Sequence, residues 1–267
     1  MPITHGFKLE PISEDDFYSL DYKVMGLAFS IHRELGRFWS EGIYQQELAC
    51  RCRKAGFQKV AIESPVQVSY KDYNKCYYID LLIDDAVVYE LKAAQAFSVE
   101  HRKQALNYLF LIGSQHGKLI NMRPPSVQHL FVSTRITPLQ RYSFTIDDLE
   151  WQDIDGDSIW LKQLLTSLLN EWGAFIDTNL FYDAIYHFRG SEENVVKKIK
   201  VMNGSYLLGL QKVHMLNPEI AFKISAVTKA DAHYEQRLCR FIQFTPLKAI
   251  QWINFNHSRI TFKTIFR

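Results

Sequence analysis

Residues 78–93 read YIDLLIDDAVVYELKA, and this stretch places three charged side chains inside two apolar runs: Asp80, Glu90 and Lys92. Both runs are rich in β-branched and aromatic residues, which predicts two neighbouring strands. Charged side chains are rarely buried unless they are paired or bind a ligand. These three charges therefore mark the part of the chain where a functional site is expected.

The connection between the two predicted strands, residues 84–86, has an odd number of residues. A three-residue loop places Asp80 directly opposite Glu90, whereas a two-residue turn would shift the register by one and send Asp80 to the other face. Because Glu90 and Lys92 are two residues apart, they share one face of their strand. The sequence thus predicts that all three charges converge, with a left-handed backbone at Asp85 or at the next residue.

Two carboxylates at cross-strand distance repel each other unless a cation lies between them. A hard divalent ion such as Mg²⁺ or Mn²⁺ prefers oxygen ligands of this kind. A lysine beside it can orient or deprotonate an attacking water while the metal polarises a phosphoryl oxygen. The pattern therefore indicates phosphodiester hydrolysis, and the alternative is a buried ion pair of Lys92 with Asp80 or Glu90 and no metal.

Further motifs surround the strand pair. They comprise Leu35-Gly36 with Glu41, Tyr44 and Leu48, then Val68-x-Tyr70-Lys71, the helix pattern from His101 through Gln104 to Leu109, and the KLIN stretch at 118–121. Together with IDLL and ELKA they resemble the GxxExxY family of the PD-(D/E)xK nuclease superfamily over roughly residues 20–135. Phe38 stands where that family has the glycine of its name, while Glu41 and Tyr44 remain.

The resemblance implies a restriction-endonuclease-like core with a Mg²⁺- or Mn²⁺-dependent nuclease site. Asp80 is then the acidic residue of the superfamily motif, and Glu90, Leu91 and Lys92 form E-x-K. The predicted metal ligands are Asp80, Glu90, Leu91 and the helical acid Glu41, and Glu47 is a weaker substitute for Glu41. A solvent-facing helix carboxylate is the alternative reading of both helical acids.

Gln104 and Tyr108 are four residues apart and share one face of a predicted helix. They reproduce the Q-x-x-x-Y signature of the exonuclease-like branch of the superfamily, which implies that they position the substrate or Lys92. The alternative for Tyr108 is a core position with a satisfied hydroxyl. His101, one turn earlier, is a candidate contact to phosphate or water, and a surface histidine is the alternative.

The composition is that of a globular protein: 267 residues, 47% hydrophobic and 22% charged, with a net charge of +2. Up to residue 175, 18 Lys and Arg face 22 Asp and Glu, whereas beyond it 13 face 7. Such a basic C-terminal segment is a mild indication of a polyanionic partner. Its candidate nucleic-acid contacts are Lys197, Lys198 and Lys200, for which a solvated surface is the alternative.

The order of predicted elements is two helices, three strands, a helix and two strands, which indicates an α/β fold with a mixed sheet. We predict a nuclease-like domain at 1–137, a helical connector at 138–190 and a smaller, basic α+β domain at 191–267. The predicted substrate is nucleic acid, with DNA favoured over RNA, and a protein partner or homodimerisation through the C-terminal domain is an open possibility. A catalytically weak binding or adaptor module is the alternative function.

Neither a signal peptide nor a membrane-spanning run is evident in the sequence, so we expect a cytoplasmic protein without a membrane partner. The four cysteines form no C-x-x-C pair and suit reduced thiols better than a disulfide framework or a zinc site.

Overall fold

A computed structural model describes residues 2–228 and 231–267 of the chain. The chain forms two compact units, Met1–Pro138 and Leu139–Arg267. Each unit contains a six-stranded sheet flanked by helices. The predicted fold class, a restriction-endonuclease-like mixed α/β unit followed by an α+β unit, is confirmed. The predicted three-part division of the chain stays a prediction.

The described residues of the first unit, 2–138, form six strands and three complete helices. They are β1 (Ile3–His5), α1 (Glu14–Leu35), α2 (Glu41–Lys54), β2 (Val60–Tyr70), β3 (Tyr73–Ile83), β4 (Val87–Lys92), α3 (Val99–Ile112), β5 (His116–Asn121) and β6 (Gln128–Ser133). The strands lie in chain order from β1 to β6. Only the β4–β5 pair among them is parallel, as expected because α3 connects these two strands.

Local sequence signals fix the ends of the helices. The Ser13 hydroxyl accepts a hydrogen bond from the Asp16 amide at the start of α1, and Gly36 ends this helix with a φ of 74°. Ser98 caps α3 in the same way, and Gly113 ends it in a left-handed conformation. These features set where the chain enters and leaves the elements that carry the candidate site.

Helices α1 and α2 cover one face of the first sheet. Their apolar side chains form a core with the strand residues Leu81, Tyr89 and Leu91. Successive side chains of a strand point to opposite faces, so Glu90 and Lys92 lie on the other face. Helix α3 packs there, which places the charged face between strand β4 and α3.

The second unit begins within α4 (Pro138–Arg141), which spans the boundary. Its other elements are β7 (Thr145–Glu150), α5 (Gly156–Trp172), α6 (Thr178–Phe188), α7 (Glu192–Val195), β8 (Val196–Asn203), β9 (Tyr206–Met215), β10 (Ile220–Ser225), α8 (Asp231–Gln243), β11 (Ala249–Asn256) and β12 (Arg259–Phe266). The strand order is β7-β12-β11-β10-β9-β8, with β10–β11 and β12–β7 parallel. Across residues 2–228 and 231–267, no helix is long and apolar enough to cross a membrane.

Candidate active site

The β3–β4 hairpin has the register that its loop length predicts. Leu81 pairs with Tyr89 and Ile83 with Val87, so Asp80 and Glu90 occupy facing positions. The ladder stops at Leu81, and the Asp80 carboxylate takes over by accepting a hydrogen bond from the Leu91 amide at 2.8 Å. The Asp80 side chain therefore links β3 to β4 at the point where the backbone hydrogen bonds between the two strands end.

The loop of this hairpin adopts left-handed conformations at two residues. Asp84 has a φ of 51° and Asp85 a φ of 53°, and the Ala86 amide donates to the Ile83 carbonyl at 3.0 Å. A left-handed Asp85 was one of the two predicted possibilities, and Asp84 is an additional one. Aspartate tolerates this region better than most residues, which explains the Asp-Asp sequence.

Glu90 and Lys92 form a buried ion pair. The Lys92 Nζ lies 2.7 Å from Glu90 Oε1, and the Glu90 side chain is fully buried. Glu41, at the start of α2, approaches the same ammonium with its Oε1 at 3.4 Å and stays partly exposed. The structure thus brings Glu41, Glu90 and Lys92 together, and Asp80 faces Glu90 from the neighbouring strand.

The site carries more negative than positive charge. Burial raises the pKa of Asp80 to about 6, although the Leu91 amide and Lys92 lower it. Burial and the neighbouring Asp80 raise the pKa of Glu90 to about 8. Burial lowers the pKa of Lys92, but Glu90, Asp80 and Glu41 outweigh this effect, so its pKa lies above its ordinary value. One ammonium group is thus too little to neutralise the carboxylates around it.

Two observations fit a divalent cation at Asp80 and Glu90. Within the described part of the chain, the buried Glu90 Oε2 has no hydrogen-bond partner, and burial raises the pKa of both carboxyl groups more than Lys92 lowers it, so an added cation would stabilise their ionised forms. No set of three Asp, Glu, His or Cys side chains converges among the residues described. Two carboxylates, a carbonyl and water would suffice for Mg²⁺, and Leu91 can offer only its carbonyl oxygen.

Glu63 and Gln45 are site residues that the sequence analysis missed. The Gln45 amide nitrogen donates to Glu63 Oε1 at 2.7 Å and to the Asp80 carbonyl at 2.6 Å. Glu63 faces Asp80 from β2 and has a left-handed φ of 49° within the strand. Its charge also contributes to the raised pKa of Asp80. The β2–β3 register and the packing of α2 create this contact, and neither is readable from local sequence.

Gln104 and Tyr108 share one face of α3, as their spacing predicts. The Gln104 amide nitrogen donates to the Tyr108 hydroxyl at 3.0 Å. Tyr108 is buried, and burial together with the charges of Glu90 and Asp80 raises its pKa above the ordinary value. The pair therefore lies near the carboxylates, but its predicted role toward substrate stays a prediction.

His101 and Glu47 have other partners in the structure. The Ser98 amide donates to His101 Nδ1 at 3.2 Å, so this side chain caps the start of α3. Glu47 accepts from Arg51 Nε at 2.7 Å, one turn along the same helix. A phosphate contact by His101 stays a prediction, and Glu47 is engaged by Arg51.

The predicted lysines of the C-terminal segment lie on strand β8 of the second unit and are exposed. Lys198 and Lys200 share one face, whereas Lys197 lies on the other and donates to the Glu193 carbonyl at 2.6 Å. Lys198 faces Lys212 on β9, which extends the basic face to a third side chain.

Comparison with known proteins finds a family for part of the chain. Residues 18–131 match the PD-(D/E)XK nuclease superfamily. A solved structure titled "Crystal structure of SSO0001" is 16% identical, with 51% of this chain and 73% of that chain covered and a TM-score of 0.32, too low to assign a fold. No curated protein matches significantly. The narrower GxxExxY assignment stays a prediction, and the N-terminal unit is the part of this chain that matches the PD-(D/E)XK nuclease superfamily.

Proposed function

We propose that the N-terminal unit is a metal-dependent nuclease that hydrolyses phosphodiester bonds, with DNA as the favoured substrate. The observation that carries this proposal is the facing pair of the partly buried Asp80 and the fully buried Glu90, with Lys92 Nζ 2.7 Å from Glu90 and the second Glu90 oxygen without a partner in the described residues. The superfamily match supports a nuclease and a nucleic-acid substrate.

Asp80 and Glu90 would hold the Mg²⁺ or Mn²⁺ ion, with the Leu91 carbonyl as a further oxygen and Glu41 at the edge of the site. When bound, the ion supplies positive charge that polarises a phosphoryl oxygen and stabilises the leaving alkoxide. Because the pKa values of Asp80 and Glu90 are about 6 and about 8, a divalent ion that binds near neutral pH would displace their remaining protons into the solvent.

Lys92 acts as a charged donor in this mechanism. Its pKa lies above the ordinary lysine value, so it is an ammonium group at neutral pH and orients the attacking water rather than deprotonating it. Glu41, 3.4 Å from the same ammonium, helps to hold it in place. Gln104 and Tyr108 position the substrate from the face of α3.

The second unit would bind the nucleic-acid backbone through the basic face of β8 and β9. Lys198, Lys200 and Lys212 are exposed side chains on this face, and like-charged neighbours of this kind suit a polyanion. A cytoplasmic location and homodimerisation through this unit stay predictions.

The test is a cleavage assay with labelled single- and double-stranded DNA and RNA, in Mg²⁺, in Mn²⁺ and in chelator. We expect the wild-type protein to cleave only with metal, and Asp80→Asn, Glu90→Gln and Lys92→Met each to lose about 10²- to 10⁴-fold in rate. Asp15→Asn, an exposed carboxylate on α1, is the matched control and keeps full activity. Equal cleavage by all variants, or none by the wild type, contradicts the proposal; binding without cleavage supports the alternative binding module.

A further inference from the structure

The loop between α1 and α2 presents a large aromatic side chain to solvent. Phe38 is 77% exposed and stands where the GxxExxY pattern has a glycine. A single exposed aromatic residue needs no explanation by itself. The surroundings of Phe38 are unusual, however, because its loop is firmly anchored and the ring forms one wall of a cleft.

The anchor is Tyr44, whose side chain is fully buried. Its hydroxyl donates to the Gly36 carbonyl at 2.8 Å and accepts from the Trp39 amide at 3.3 Å. The Trp39 indole nitrogen also donates to the Leu35 carbonyl at 2.8 Å. Phe38 thus lies between backbone groups that are held on both sides, so the ring can receive a ligand with little loss of conformational entropy.

The cleft beside Phe38 has a volume of about 560 Å³. It is lined by Arg37, Phe38, Ala93, Ala94, Gln95, Arg123, Pro124 and Pro125. Ala93 directly follows Lys92 in the chain and packs against the core formed by α1 and α2, so the cleft begins one residue beyond the proposed catalytic lysine. Two lining residues are arginines and none is acidic, which favours a negatively charged ligand.

The wall opposite Phe38 is also fixed in position. The buried Asn121 side chain accepts from the Ala94 amide at 3.1 Å and donates to the Ala94 carbonyl at 2.8 Å. Arg123 Nε donates to the Ala93 carbonyl at 3.3 Å, and His32 Nε2 donates to the Pro124 carbonyl at 3.0 Å. Both sides of the cleft are therefore preorganised for binding.

We propose that this cleft binds an unpaired nucleotide next to the scissile phosphate, so that the substrate is a single strand or a frayed end. Phe38 stacks on the base, and Arg37 and Arg123 contact the phosphates. Arg37 Cζ lies over one face of the Phe38 ring, 5.4 Å from its centre, so the base would stack on the opposite face of the ring. In a duplex, both faces of a base are covered by neighbouring bases. Phe38 cannot stack on such a base, so the cleft selects against duplex substrates. The inference deepens the proposed nuclease function and rests on it for the scissile phosphate.

Binding measured in chelator separates this inference from catalysis. Fluorescence anisotropy would use the full chain with a labelled single strand of about 12 nucleotides and a duplex of the same sequence. We expect tighter binding of the single strand. Phe38→Ala should weaken binding of the single strand by about 5- to 150-fold and leave duplex binding unchanged, whereas Phe38→Trp should bind the single strand as tightly as the wild type does.

Two controls sharpen the test. Tyr22→Ala removes an aromatic side chain that is 83% exposed on α1 and should change nothing. Arg37→Ala and Arg123→Ala should weaken the binding of both substrates. Each should also lower the slope of log affinity against log salt concentration by about 1.

The failures of the two proposals are distinguishable. If the wild type cleaves with metal but Phe38→Ala binds the single strand normally, or if the wild type shows no preference for single strands, the inference is overturned and the nuclease proposal stands. If Phe38-dependent binding occurs without cleavage, the cleft is a binding site and the nuclease proposal fails.

Discussion

At the scale of single residues, the site depends on a side chain that has no ionisable group. Gln45 is buried and ties the carbonyl of Asp80 to the carboxylate of Glu63 with one amide group. Glu63 holds a left-handed φ of 49° within a strand, a conformation that costs free energy and persists only where other contacts support it. We therefore regard Gln45 as a positioning residue for Asp80.

Replacing Gln45 tests this role. Gln45→Ala removes both hydrogen bonds, so we expect about 10- to 100-fold lower cleavage activity and a higher Mg²⁺ concentration for half-maximal rate. Gln46→Ala, at the exposed neighbouring position of the same helix, should behave like the wild type. Steady-state rates across a Mg²⁺ titration measure both effects; a variant with the wild-type metal dependence would show that Gln45 is only structural.

A histidine in the second unit makes stability depend on pH. Burial, assisted by the charge of Lys223, lowers the pKa of His214 to about 4, and its Nε2 is 2.7 Å from the Tyr186 hydroxyl. The unfolded chain has a histidine pKa near 6.5. The folded protein therefore binds a proton at His214 less readily than the unfolded chain does. The contribution of neutral His214 to the free energy of unfolding is complete above about pH 6.5 and declines as the pH falls toward 4.

We expect the second unit to lose about 2 kcal/mol of unfolding free energy from this group between pH 7.5 and pH 4, after allowance for solvent screening. His214→Gln should remove that part of the pH dependence. His233→Gln, an exposed histidine on α8, should leave it in place. Urea unfolding at several pH values measures the difference, and parallel curves for wild type and His214→Gln would contradict the assignment.

At the scale of secondary structure, the length of the β3–β4 loop sets the strand register that brings Asp80 opposite Glu90. Lys59 stabilises its loop from outside: the backbone amide donates to Asp84 Oδ1 at 2.9 Å, and its ammonium lies 2.7 Å from Asp85 Oδ2. The register is fixed next to the loop, where Ile83 pairs with Val87, and it extends from there to Asp80. The loop therefore decides which face of the sheet receives the acidic side chain.

Deleting Val87 should separate the catalytic role of the hairpin from its structural one. With the three-residue loop kept, Ile83 then pairs with Val88 and Asp80 comes to face Leu91 in place of Glu90, so we expect cleavage to fall to the level of Asp80→Asn. Asp85→Gly keeps the loop length, accepts the left-handed φ and loses only an exposed ion pair, so activity should persist. A fully active deletion variant would show that register does not control the site.

The same hairpin shows what the sequence can and cannot predict. The facing positions of Asp80 and Glu90 follow from a loop of three residues, which is local information. The Glu63–Gln45 contact depends on a strand and a helix that meet only after folding. Strand β8 contains two adjacent lysines, Lys197 and Lys198, which interrupt the alternation of polar and apolar residues, and β1 has only three residues, too few for a periodic pattern, so neither strand is predicted from the sequence.

At the scale of the whole molecule, the charge is divided between the ends of the chain. The acidic excess before residue 176 includes the carboxylates that a bound cation would offset, and the basic excess beyond it includes the exposed face of β8 and β9. If that face holds the nucleic-acid backbone, its contribution must appear as salt dependence, because phosphate contacts release condensed counterions. Chemistry at the N-terminal site should be unaffected once substrate is saturating.

We therefore expect the combined change Lys198→Gln, Lys200→Gln and Lys212→Gln to lower the slope of log affinity against log salt concentration by about 2 for a single strand. The cleavage rate at saturating substrate should stay at the wild-type value, since these residues lie on a different unit from Asp80 and Glu90. Lys197→Gln is the matched control, because this lysine lies on the other face of β8 and donates to the Glu193 carbonyl. An unchanged slope in the triple variant would show that the basic face serves another partner, whereas a lower saturated rate would show that the second unit takes part in the chemical step.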